Sequence, residues 1–148
     1  MLSNVGVSLL EEGKSITVSA WGYSMFPTIR PGDIITITPF TKDHDLKPGM
    51  VVAKKRSSGL VVHRVTHVVL IDGERVITTR GDSSLRHDDP FGEEEIAGVI
   101  TEVKRGSRKF VPASSAKVWY RLNHMLVWSA FVLRKIRTIL GLERRYKD

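Results

Sequence analysis

Short segments of β-forming residues recur between Ser15 and Val103, and in DIITITPF (33–40) apolar and polar residues alternate with a period of two. Side chains of an extended chain point to opposite faces in turn, so this period predicts strands with one face in a core. The segments are SITVSAW (15–21), DIITITPF (33–40), MVVAKKR (50–56), GLVVHRVTHVVLI (59–71), ERVITTR (74–80) and EIAGVITEV (95–103). They are rich in β-formers and separated by turn clusters, which predicts a mainly β body of bent, coiled ribbons. Asp72-Gly73, a strong hairpin signal, falls between the fourth and fifth. A short helix is predicted over Val5–Glu12, with Gly13 at its C-cap.

After Pro112 the period changes. From Ser115 to Leu140 apolar residues recur at helical spacing, among them Val118, Leu122, Met125, Trp128, Val132 and Ile136. Arg121, His124, Arg134, Lys135 and Arg137 supply a basic side, and Ser114 or Ser115 can cap the start. The expected organisation is a β domain over 1–112 followed by a basic amphipathic helical tail over 113–148.

Composition sharpens this picture. The chain has 148 residues, 41% of them apolar, which suits one domain with an appendage at most. Without cysteine it has no disulfide, no zinc–thiolate site, no iron–sulfur cluster and no thiol nucleophile. The net charge of +7 is unevenly divided: 11 Lys/Arg face 14 Asp/Glu up to Val103, and 12 face 2 from Lys104 onward. The basic character therefore belongs to the tail. Three readings of the tail follow: it packs on the β body, it lies in an anionic membrane interface with Trp119, Trp128 and Phe131 inserted, or it binds nucleic acid. The third is least supported, because no groove-reading module or stacking motif accompanies it. The N-terminus lacks the features of a secretory signal, and the longest apolar run, Met125–Leu133, is too short to span a bilayer. A cytoplasmic or peripheral membrane location is expected.

The chemistry concentrates in GYSMFPTIRPGD, Gly22–Asp33. Gly22 tolerates backbone angles closed to other residues, and Pro27 and Pro31 stiffen the loop. Ser24 is thereby presented between two strands, as a nucleophile must be, but a serine is inert without a base.

SMFPTIRPGD resembles the nucleophile box of signal peptidase I and the related LexA-type self-cleaving repressors, S-M-x-P-T-[I/L]-x-x-G-D. Further segments resemble that family's boxes in order: GMVVAKKR, with Met50 where Asp is usual; GLVVHRVTHV; TTRGDSSLRHDDP; and IAGVI. The match covers about Ser15 to Val103. Leu9–Thr17, LLEEGKSIT, is similar to the start of short bacterial members with a Trp- and Arg-rich tail.

The resemblance implies a coiled β-ribbon fold and a serine endopeptidase that cuts after small residues, without cofactor or metal. Its substrate is expected to be a peptide or preprotein, bound as an added strand and lined by Met25 and Pro27. The base position carries His63 in H-R-V, as in the archaeal and endoplasmic-reticulum type, where bacterial members carry Lys. By position, Asp82 and Asp88 are the supporting acids, with Asp89 competing for the second role. Gly22 stands where many signal peptidases place a hydroxyl, so the oxyanion hole rests on backbone N–H groups, including that of Ser24.

Other residues compete. His67 follows His63 by four, which in a regular strand gives the same face and makes it the second candidate base. Lys54 and Lys55 fall one strand early. His44 and His87 lie in loops, and the cluster Asp43, His44, Asp45 is weak as a metal site, so none is expected. A non-catalytic relative that binds a peptide or partner, and a dedicated cytoplasmic maturation peptidase, remain the alternatives.

Overall fold

The structure, a computed structural model, describes residues 4–57 and 59–112. The helix expected over 115–140, and with it the whole basic tail, lies outside the described residues. No described helix is long and apolar enough to cross a membrane.

The chain is mainly β. Helix α1 (Asn4–Glu11) is followed by β1 (Ile16–Ser19), β2 (Ile34–Pro39), β3 (Val51–Arg56), β4 (Gly59–Ile71), β5 (Glu74–Arg80), β6 (Phe91–Gly92), β7 (Ile96–Arg105) and β8 (Arg108–Phe110). Every long strand falls within or close to an expected segment; β6 and β8 are short additions. Gly13, at φ +79°, ends α1 in a Schellman arrangement: its N–H reaches Leu10 O at 3.0 Å and that of Lys14 reaches Leu9 O at 2.9 Å. Asp72 (φ +51°) and Gly73 (φ +84°) turn β4 into β5, both in the left-handed region that a tight hairpin requires.

The strands form one antiparallel sheet in the order β1-β2-β7-β3-β4-β5-β6, with β8 beside the end of β7. Apolar residues cover both of its faces. Leu10, Met25, Ile29, Ile35, Ile37 and Val51 belong to one core, and Val52, Val65, Ile77, Phe91 and Val99 to the other. Val51, Val52 and Ala53 are each 0% exposed, which explains why β3 reads as an apolar run rather than an alternation. Register shifts in β2 against β7, β3 against β7 and β4 against β5 bend the ribbons.

Two features of this sheet prepare a site. Residues 59–63 of β4 pair with β3, but the pairing with β5 begins at Arg64↔Arg80, so their other edge is unpaired among the described strands. The edge strand β1 curls back towards it, because Ser19, Ala20 and Gly22 wall the same cavity as Leu60, Val61 and Val62.

The loop from Ala20 to Asp33 is braced at its neck. Ala20 donates to Asp33 O (2.7 Å), and Gly32 donates to Ala20 O (3.0 Å). Met25 and Ile29 anchor the loop in the first core. The Asp33 carboxylate, 4% exposed, receives Arg105 Nε at 2.8 Å, Arg105 Nη2 at 2.6 Å and the Arg30 N–H at 2.8 Å. Arg105 Nη2 also donates to Thr28 O at 2.9 Å, which ties the loop to β7. The Arg105 hydrogen bonds hold the Asp33 pKa below its ordinary 3.8; burial opposes them, and the Arg30 N–H adds to the lowering.

This ion pair yields a stability prediction. Arg105→Met strands a buried carboxylate and is expected to cost about 2–3 kcal/mol at neutral pH. A depressed acid stabilises above its unfolded pKa and loses that contribution as pH falls through the folded value. The gap between wild type and Arg105→Met should therefore be full above about pH 5 and close below 3.8. Urea denaturation at both ends of that range measures it, and a gap that does not change with pH contradicts the assignment.

Candidate active site

Ser24 lies two residues after Gly22, whose φ of +82° turns the chain out of β1. Its flanks differ sharply: Tyr23 is exposed, and Met25 is buried in the core below. The Phe26–Pro27 bond is cis, and Ile29 N donates to Met25 O at 2.9 Å, closing a compact turn. A hydroxyl is thus carried at the surface by a backbone fixed from beneath.

The loop after β5 grips this turn. Ser83 donates its N–H to Ser24 O at 2.9 Å, and its hydroxyl lies 2.8 Å from Tyr23 O and 3.1 Å from Ser24 O. Gly81 is the point of closest approach. A Cβ there would stand 2.6 Å from Ser24 O and 3.2 Å from His63 Nε2, so the main chain of Ser24 and the free ring nitrogen of His63 converge on one spot. No hydrogen bond joins Ser24 Oγ to His63 in this arrangement, a contact that tightens in many enzymes when substrate closes the site.

His63 sits on β4 opposite Val52, at the unpaired part of the strand. Its Nδ1 lies 2.5 Å from Asp88 Oδ2. The same oxygen accepts Thr79 Oγ1 at 2.7 Å, and Asp88 N donates to Thr79 O at 2.8 Å. Burial raises the Asp88 pKa, but hydrogen bonds from Thr79 and His63 outweigh it, and the net shift is downward. Asp88 stays a carboxylate, as a group that must stabilise an imidazolium requires.

Asp82 occupies a different place. It accepts Arg64 Nε and Nη2, each at 2.7 Å. Arg64 is 6% exposed and also donates Nη1 to Gly49 O (2.7 Å) and Pro112 O (2.9 Å). Asp88 is thus the acid at His63, and Asp82 reaches the site through the residue beside it. Asp89 is exposed.

The other candidates are set apart. Register shifts by one residue between Val65↔Thr79 and His67↔Thr78, so the face shared by His63 and Val65 does not pass to His67. His67 is exposed and lies against the His87 ring, with centroids 5.5 Å apart. Lys54 is paired with Glu95 at 3.1 Å and Lys55 with Glu11 at 2.8 Å. His44 stacks on Phe40 and accepts the Thr41 N–H at 3.0 Å. Among the described residues no group of three or more His, Asp or Glu is placed to hold a metal ion.

Beside Ser24 lies a cavity of about 200 Å³ between β1 and β4, walled by Ala20, Met25, Ile29, Ile35, Leu60 and Val62. Pro27, half-buried in the same turn, is not among its walls. Sequence reasoning did not single out Arg64, Thr79, Ser83 or Arg105. An arginine inside an apolar strand is a usable signal, since a buried guanidinium needs partners; a threonine in a strand is not. Compared with known protein families, curated proteins and solved structures, the chain matches none.

The two acids are separable by stability. Asp82→Asn leaves the buried Arg64 charge without its carboxylate and is expected to cost about 3 kcal/mol. Asp88→Asn keeps the Thr79 contact geometry and is expected to cost about 1 kcal/mol. Chemical denaturation of both variants is the check, and equal losses or the reverse order would show that Arg64 does not depend on Asp82.

Proposed function

We propose that this chain is a serine endopeptidase with a fold of the signal peptidase and LexA type, in which Ser24 is the nucleophile, His63 the base and Asp88 the orienting acid. The observation that carries the reading is the directed ring of His63. Its Nδ1 is held on Asp88 while its Nε2 faces, across Gly81, the turn that presents Ser24.

The steps follow from those positions. Ser24 Oγ attacks the scissile carbonyl carbon as His63 Nε2 takes the hydroxyl proton, and Asp88 stabilises the imidazolium. The Ser24 N–H faces the oxyanion. As the tetrahedral centre collapses, the C–N bond breaks and Nε2 gives its proton to the leaving amine. Water, deprotonated by Nε2, then attacks the acyl ester; its collapse returns the proton to Ser24 Oγ and releases the new carboxyl end.

The substrate is an extended peptide or preprotein. It enters as a strand between the free edges of β1 and of residues 59–63 in β4, with small side chains before the cut facing the cavity. The basic tail keeps the enzyme at an anionic membrane surface as a peripheral protein.

The test uses a fluorogenic peptide with alanine at the first and third positions before the cut. Ser24→Ala should abolish cleavage and change stability by less than about 1 kcal/mol. His63→Ala and Asp88→Asn should each lower kcat/KM by about 100-fold or more, and His67→Ala by less than about 3-fold. Wild-type turnover by Ser24→Ala sinks the peptidase reading, and a larger loss in His67→Ala than in His63→Ala moves the base.

A further inference from the structure

We propose that Thr79 is a positioning residue of this site, its buried hydroxyl holding the Asp88 carboxylate in the rotamer that faces His63. The inference rests on the peptidase reading for its kinetic consequence, but its structural basis is independent of that reading.

Thr79 is 1% exposed and lies on β5, opposite Val65 of β4. It grips Asp88 twice. Its carbonyl accepts the Asp88 N–H at 2.8 Å, and its hydroxyl donates to Oδ2 at 2.7 Å. The first bond places the Asp88 backbone at the end of the loop that leaves β5. The second fixes the carboxylate torsion, which a backbone bond cannot do.

The need for this second hold is visible in the surroundings. Both neighbours of Asp88 in the chain, His87 and Asp89, are exposed, so the loop itself offers no wall on that side. Oδ2 accepts from Thr79 and from His63 Nδ1 together. A carboxylate oxygen has two lone-pair directions, and filling one from a rigid strand leaves the other aimed at the imidazole. Hydrogen bonds to a charged acceptor are also the strong ones, so a buried hydroxyl here outweighs one placed between neutral groups. The downward shift of the Asp88 pKa, with Thr79 the largest lowering influence, is in keeping with that role.

A merely structural Thr79 would matter through its buried, β-branched shape and not through its oxygen. Two variants separate these cases. Thr79→Val keeps the β-branched shape and loses the hydroxyl; Thr79→Ser keeps the hydroxyl and loses the methyl. Two readouts apply to both: kcat and KM on the alanine-containing fluorogenic peptide, and the downfield ¹H NMR resonance of the proton between His63 Nδ1 and Asp88, assigned by its loss in Asp88→Asn. Thr79→Val should lower kcat about 10-fold, leave KM within about 2-fold, and remove the resonance or move it upfield. Thr79→Ser should keep the resonance and at least half of kcat. If Thr79→Val does not fold, Thr79→Ala removes the same hydroxyl and takes its place. The proposal is overturned if the valine variant keeps both kcat and the resonance, or if the serine variant loses as much as the valine. The resonance is read without turnover. Full turnover by Ser24→Ala would therefore remove the peptidase reading while the comparison of valine with serine still decides whether Thr79 holds Asp88.

Discussion

The buried guanidinium of Arg64 organises this molecule. Arg64 cannot shed its charge, so enclosing it obliges the surrounding chain to supply acceptors. Those acceptors come from four separate stretches: Asp82 after β5, Gly49 before β3, Pro112 at the end of the described chain, and the Thr28 hydroxyl, 3.5 Å from Nη2, in the Ser24 turn. Arg64 also opens the pairing of β4 with β5 and directly follows His63. The loop that brings Gly81 against Ser24 and His63 is consequently anchored one residue from its closest approach. The Arg105–Asp33 pair does the same from the opposite side, fixing the far end of the Ser24 turn to β7.

Between these two anchors the sheet leaves a gap. An inner strand of a sheet normally has both edges satisfied, but among the described strands β4 is paired on one side only over residues 59–63. The edge of residues 59–63 and the curled edge of β1 together frame the cavity, so the turn that carries Ser24 lies beside a backbone edge that no described strand pairs. That coincidence gives physical support to a bound strand as the proposed substrate form.

Most of the strand plan is legible, because short runs of β-formers between turn signals leave few other solutions. The hairpin at Asp72-Gly73 and the cap at Gly13 depend on backbone angles that few residues accept, and both were readable for that reason. Of the candidate site, His63 and Asp88 are hydrogen-bonded and the Ser24 main chain lies across Gly81 from the His63 ring, and it is the resemblance, rather than periodicity, that singles these residues out. Asp82 and Asp88 read alike in the sequence because position along a loop does not say which way a carboxylate turns. Only the buried cation one residue from His63 decides that, and its four sets of partners are remote in sequence. The same-face expectation for His67 failed on one inserted residue, Thr66, which no alternation pattern announces. Thr79 was invisible because the residue that reads as an ordinary strand former is the one that carries the hydroxyl.

The bulge at Thr66 divides the long hairpin into two halves that are out of phase. The inner half keeps time with the cores: Val65 is buried opposite Thr79, and His63 looks towards Asp88. The outer half, with Val69, Leu70 and Ile71 exposed, follows its own count. Loss of Thr66 alone would restore regular alternation and leave His67↔Thr78 and every pair out to the tip facing as they do now. The bulge is therefore the place where β4 can gain or lose one residue at no cost to its outer surfaces, whereas a one-residue slip in the pairing elsewhere would exchange them at once.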